Sequence, residues 1–265
     1  MNWVELVKTL IMGAVEGITE FLPVSSTGHL IITGDIIHFT GEMADTFEIV
    51  IQLGAILAVV WEYRVRLTGV VRDLTKDAVA QRFVVNLAIA FLPAAIVGLA
   101  FHRAIKLYLF NPVTVAAALI VGGVVILWAE HRRHVARIDN VDAMRPRDAL
   151  LIGIAQCFSL IPGTSRAGAT IVGGLLTGLS RKAATEFSFF LAIPVMFAAT
   201  GFDLATNLDL LHAADVPMFV AGFVMAFVAA LVAVKGLLRY IANHTFDGFA
   251  WYRIVLGIVV LAYFW

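Results

Sequence analysis

Two short stretches hold most of the reactive side chains of this chain. The first, EGITEFLPVSSTGH, sets Glu16 and Glu20 four residues apart and follows them with Ser25, Ser26, Thr27 and His29. A spacing of four puts both carboxylates on one helical face, a turn apart. Such a pair either shares a proton or holds a divalent cation, and Mg²⁺ and Ca²⁺ both take oxygen ligands. Pro23 ends one helix, so Ser25 or Ser26 is placed to cap the next, whose free N–H groups suit phosphate. His29 lies three residues past Ser26, on the same face, in reach for proton transfer or phosphate contact. The second stretch, IPGTSRAGAT, carries Gly163, where backbone can approach closely, and Ser165 at another helix start. Arg166 adds a planar fork for phosphoryl oxygens, with Thr170 one turn beyond it. Two helix N-termini, a guanidinium and a carboxylate pair favour phosphate as the ligand. The plainer alternative makes Arg166 a structural partner of Glu16 or Glu20.

These polar residues sit in a chain that is mostly oil. Of 265 residues, 61% are hydrophobic and only 14% charged, with mean hydropathy +0.92. Soluble domains run nearer 45–50% apolar and about 25% charged. Apolar runs such as FVVNLAIAFLPAAIVGLAF (83–101) and PMFVAGFVMAFVAALVAVKG (217–236) have the length of spanning helices. The class is a polytopic helical membrane protein, in which an intramembrane acid is a functional candidate. Zero formal net charge argues against a nucleic-acid partner, and a single cysteine, Cys157, excludes an intrachain disulfide. Glu5 precedes Lys8 and no small-residue cleavage site follows, so no signal peptide is expected.

The two polar stretches also mark an internal repeat. Gly13-x-x-Glu16 aligns with Gly153-x-x-Gln156, and Pro23-x-x-Ser26 with Pro162-x-x-Ser165, with one residue slipped between. The predicted fold is all-α, with two inverted-topology repeats, each a re-entrant helical hairpin plus three transmembrane helices. The first repeat covers 1–133, with a hairpin at 3–39 and spans at 46–63, 82–101 and 112–130. The second covers 145–265, with a hairpin at 148–179 and spans at 183–201, 216–236 and 250–265. Each hairpin is split at its Pro/Ser break, which is tolerated only where the backbone is buried in protein or lines a wet cavity. Two ordinary spans with proline kinks are the alternative.

Three spans per repeat invert the second half. The Arg64–Arg82 and Arg132–Arg147 loops, with Arg181, Lys182, Lys235 and Arg239, then share the cytoplasmic side. The hairpin tips meet near the midplane, where inverted repeats usually place their site. Glu48 and Gln52, four apart, are candidate supporting partners for the tips, with Glu186 in the related place of the second half. Asn86 is expected to make a packing hydrogen bond. His131 and His134 are expected on a cytoplasmic flank rather than at a metal.

EGITEFLPVSSTGH and PGTSRAGAT resemble the two signature motifs of the undecaprenyl-pyrophosphate phosphatase family, membrane proteins linked to bacitracin resistance. TFEIVIQLGAILAVV (46–60) and EFSFFLAIPVM (186–196) resemble further blocks of the family, so the likeness spans nearly the whole chain. It implies hydrolysis of undecaprenyl pyrophosphate to the monophosphate, dependent on Mg²⁺ or Ca²⁺, in the bacterial inner membrane at a site open to the periplasm. It carries the acidic motif onto Glu16 and Glu20, the nucleophile or key hydroxyl onto Ser26, and a general acid/base onto His29. The phosphate-binding motif falls on Ser165, Arg166 and Thr170, with Ser25, Thr27 and Gly163 beside the substrate. Ala167 departs from the family, which usually has Ser there. A phosphoserine on Ser26 and direct attack by metal-bound water both fit these residues. The rival class is a transporter or flippase for a polyprenyl-phosphate lipid, since inverted repeats with broken helices also build transporters. Membrane lipids are expected neighbours, and the sequence leaves monomer or homodimer open.

Overall fold

The computed structural model describes residues 2–132, 136–206 and 215–264. Helix α1 (Trp3–Thr19) begins at a capping box, in which Glu5 N–H donates to Asn2 Oδ1 at 2.8 Å and Asn2 N–H donates to Glu5 Oε2 at 2.9 Å. After the break at residues 20–25 comes α2 (Ser26–Ile36), then α3 (Glu42–Glu62), α4 (Arg64–Asp73), α5 (Ala78–Tyr108) and α6 (Pro112–His131). The second half runs through α7 (Pro146–Gln156), a 3₁₀ turn at Cys157–Leu160, α8 (Arg166–Thr177), α9 (Arg181–Thr206), α10 (Val216–Ile241) and α11 (Asp247–Phe264). No strand occurs among the described residues.

Helices α5, α6, α9, α10 and α11 are long and apolar enough to cross a membrane, and the bent pair α3–α4 is a sixth candidate. The helices α2, α7 and α8 have 11, 11 and 12 residues. At 1.5 Å per residue each is about 16–18 Å long, well short of a hydrocarbon core of about 30 Å. One expectation is corrected here. The stretch after Arg64, read above as a loop, opens with helix α4, bent by 72° from α3. Leu67 and Val70 pack against the core and Arg66 turns inward over Phe83 and Phe190, while Arg64, Val65, Val71 and Arg72 stay exposed. The spans also run longer than expected, because α5 and α10 continue past the apolar runs into polar ends.

Small residues set how closely α1 approaches α10. A Cβ at Gly13 would strike the Gly222 carbonyl, and one at Gly17 would strike that of Ala226. This Gly-x-x-x-Gly face lets the two backbones touch, as small-residue faces do in membrane helices. Glu16, between the two glycines, is thereby carried into the interior with 1% of its surface exposed. On the Lys/Arg-rich side, Arg181 forks onto Glu130 at 2.6–3.1 Å, while Glu130 also accepts from Phe246 N–H at 2.9 Å. Arg66 pairs with Asp142 at 2.6 Å, and Asn86 Nδ2 donates to the Met144 carbonyl at 3.1 Å, the packing bond expected.

Candidate active site

The helix breaks arise from the same local chemistry in both halves. Pro23 and Pro162 sit just before the turns, and Ser25 and Ser165 then take φ of 72° and 71°, unusual for residues with a side chain. These two serines are 140 residues apart, as are Gly13 and Gly153. The one-residue slip of the sequence pairing therefore falls only at the prolines, and Ser26 corresponds to Arg166 as first residue of its helix. Ser165 Oγ accepts from Gly168 N–H at 3.0 Å, a true cap, whereas Ser25 makes no side-chain cap. Gly163, with φ of 92°, lies against the Val115 backbone, where a Cβ would collide.

The turns bring the two motifs into contact. Arg166 Nη2 donates to Glu20 Oε1 at 3.0 Å, and Ser26 Oγ donates to Glu20 Oε2 at 2.6 Å. Arg166 Nη1 donates to the Ser188 carbonyl at 3.0 Å, and its guanidinium stands 5.6 Å from the Phe21 ring centre. Thr170 Oγ1 lies 2.9 Å from the Arg166 carbonyl and 2.7 Å from Ser188 Oγ, which fixes the α8–α9 contact beside the arginine. Both Glu16 oxygens and Arg166 Nε are buried without a hydrogen-bond partner. Glu20, Glu48 and Arg166 are the charged groups acting on Glu16. An anion acceptor and a cation donor are thus left unsatisfied within one buried cluster.

His29 behaves differently from expectation. Its Nδ1 contacts the Ser25 carbonyl and its Nε2 the Tyr252 hydroxyl, both at 2.7 Å, and its ring stacks on Tyr252. Neither nitrogen is bonded to Ser26. Glu20 holds the Ser26 hydroxyl instead, because the turn after Pro23 folds Ser26 back over the end of α1. Thr27 and Gln52 are half-buried, and Glu48 reaches Glu16 electrostatically. Glu186 has Lys182, Arg66 and Asp142 for charged neighbours, so it belongs to the basic connections rather than the cluster. His131 lies exposed, 3.7 Å from Asp247. Arg133 and His134 lie outside the described residues.

Three side chains at the site escaped the sequence reading. Arg253, 1% exposed, donates to the carbonyls of Pro23 (3.2 Å), Gly163 (3.1 Å), Ala118 (3.2 Å) and Leu119 (3.4 Å). One guanidinium therefore ties both breaks to α6, with carbonyls freed by the turns as its acceptors. A lone arginine inside the apolar run WYRIVLGIVV was the available signal. Ser188, in EFSFFLAIPV, and Tyr252, next to Arg253, were visible only as polar groups in apolar runs.

A divalent cation fits this donor set. Glu16 offers two free oxygens where an unmatched carboxylate costs several kcal/mol, about what one metal ligand or proton removes. No group of three His, Cys, Asp or Glu side chains is placed to hold a metal among the described residues. A cation here would complete its shell with water and phosphate oxygens, as Mg²⁺ does.

The family model described as bacitracin resistance protein BacA matches residues 9–259. The chain belongs to the BacA family. Among curated BacA relatives, the "Undecaprenyl-diphosphatase" of Laribacter hongkongensis is 60% identical over 265 residues, covering 100% of this chain and 97% of that one. The protein of the same name from Nitrosospira multiformis is 62% identical over 98% of this chain and 96% of its own. "Undecaprenyl-diphosphatase 2" of Rhodospirillum rubrum is 62% identical over 100% and 97%.

Proposed function

We propose that this chain is a membrane phosphatase that hydrolyses undecaprenyl pyrophosphate to undecaprenyl phosphate and inorganic phosphate. The observation that carries it is the Ser26–Glu20–Arg166 contact, a hydroxyl, its proton acceptor and a phosphate-binding fork within hydrogen-bond reach. Full-length relatives named undecaprenyl-diphosphatase support the substrate.

In this reading Arg166 leaves Glu20 for the diphosphate and binds its oxygens with both Nη2 and the free Nε. Glu20, released, takes the Ser26 proton as Oγ attacks the terminal phosphorus. The new O–P bond forms as the anhydride P–O bond breaks, and undecaprenyl phosphate departs. Glu20 passes that proton to the departing phosphate, then takes a proton from the water that attacks the phosphoserine and returns it to Ser26 Oγ as inorganic phosphate leaves. Glu16 and Glu20 would hold a Mg²⁺ or Ca²⁺ ion, which supplies charge neutralisation of the diphosphate when bound. The N-terminus of α8 adds fixed donors for developing negative charge. His29, held by Tyr252, flanks the site rather than serving as the first base.

The same proposal includes the architecture. The short paired helices α1–α2 and α7–α8 act as re-entrant hairpins of two inverted repeats, with basic connections in the cytoplasm and the site open to the periplasm. Activity there recycles the lipid carrier for cell-wall synthesis and confers bacitracin resistance. A flippase would need none of the hydroxyl–carboxylate contact at Ser26. Phosphate release from undecaprenyl pyrophosphate by protein in detergent, without a gradient, is the deciding test; release no faster than from a Ser26→Ala variant removes the proposal.

A further inference from the structure

Two apolar grooves flank α11, and they differ in what lies at their inner ends. One, of about 630 Å³, runs between α6 and α8, passes Thr164 and Gly168 beside the Ser165–Arg166 turn, and meets one charged side chain, Arg253, whose donors are already taken by four carbonyls. The other, of about 650 Å³, runs between α10, α11 and the first break. Its inner wall is Thr19, Leu22 and Val24, the residues that surround Glu20 in sequence, together with His29 and Tyr252. Its outer wall is α10 from Val232 to Tyr240, nine residues rising about 12 Å along the helix. Val232 is 69% exposed, and a Cβ added at Gly236 meets nothing within 4 Å, so the groove lies open sideways to hydrocarbon.

We infer that this second groove seats the isoprenoid chain of the substrate, with Gly236 keeping it open. The inference rests on the phosphatase reading for its headgroup. An amphiphile with a diphosphate head and a long apolar tail matches an apolar trough whose inner end adjoins the Ser26–Glu20–Arg166 cluster, and polar groups converging at the end of an apolar cleft are the ordinary form of a ligand site. Only this groove shares its wall with the segment that carries Glu20 and Ser26. It extends from that segment toward the end of α10 that bears Lys235 and Arg239, so the tail would run from the buried head toward the basic side. Glycine at 236 costs helix stability relative to alanine, about 1 kcal/mol, and no packing contact explains it.

The test compares long and short substrates in the full-length protein. Gly236→Trp and Val232→Trp fill this groove, Ala117→Trp fills the other, and Gly236→Ala is the control. The two groove-filling variants are expected to lower kcat/KM for undecaprenyl pyrophosphate at least about tenfold while changing that for farnesyl pyrophosphate less than twofold, which also shows the variants are folded. Binding of undecaprenyl monophosphate, followed by displacement of a fluorescent prenyl phosphate, should weaken in parallel. Equal effects on both chain lengths, no effect, or selective loss from Ala117→Trp instead overturn the assignment and leave the groove to ordinary bilayer lipid. If the wild type hydrolyses neither substrate, the phosphatase reading fails, while selective loss of long-chain binding in Gly236→Trp still upholds the groove.

Discussion

Glu20 and Arg166, 146 residues apart in sequence, meet at 3.0 Å in a site where their side chains are 8% and 10% exposed. The same carboxylate accepts a hydrogen bond from the Ser26 hydroxyl at 2.6 Å. In the proposed reaction the diphosphate takes the arginine and leaves the carboxylate free to act as base.

Removing one partner leaves a buried charge. Glu20→Gln should lower stability by about 3–5 kcal/mol, read as a fall in thermal midpoint in detergent. Arg166→Lys keeps a charge but loses the fork, and kcat/KM should fall about a hundredfold. Wild-type turnover in the lysine variant would make Arg166 structural.

Ser26→Ala should cut phosphate release by about a thousandfold or more if the hydroxyl is the nucleophile. Ser26→Cys should retain a measurable fraction, because a thiol can also attack phosphorus. Substantial release by the alanine variant instead supports attack by metal-bound water.

The cation is tested through Glu16. Chelation should lower phosphate release more than about tenfold in the wild type, and Mg²⁺ or Ca²⁺ should restore it. Glu16→Gln should be slow already and respond weakly to added cation. A chelator-insensitive wild type rules out a required metal.

Arg253→Met removes the tie between the breaks and leaves the turn carbonyls of Pro23 and Gly163 without their donor, for a cost of about 3 kcal/mol or more. Thermal midpoint and turnover should fall together, and Arg253→Lys should restore neither fully, since three donors cannot span four acceptors. An unchanged midpoint in the methionine variant contradicts this role.

Gly163→Ala asks an L-residue to hold φ of 92° against the Val115 backbone. A loss of about 1–3 kcal/mol is expected, with reduced activity because Arg166 follows three residues later. Normal stability would mean that the turn has an alternative conformation.

Much of the site was readable along the chain because the reactive residues come in two local clusters. The spacing of Glu16 and Glu20, the proline breaks and the lone Arg166 each declare themselves against an apolar background, where an uncompensated polar group is too costly to be incidental. The five helices long enough to span were readable for the same reason, since each is a run of apolar residues.

Other features depended on how the chain returns on itself. Helix α4 was hidden because a short amphipathic segment rich in arginine looks like a loop when its packing face is unknown. The choice of Glu20 over His29 as partner of Ser26 depended on the turn at Ser25, whose positive φ no propensity rule predicts for serine. Arg253 was the largest omission: it stands 230 residues from Pro23 and 90 from Gly163, and nothing local links them. One-dimensional order thus determined the membrane class and the two polar motifs, because burial cost acts residue by residue. Tertiary structure alone decided which carboxylate meets the arginine, which hydroxyl it holds and what ties the breaks together, because those are distances between segments that sequence separates.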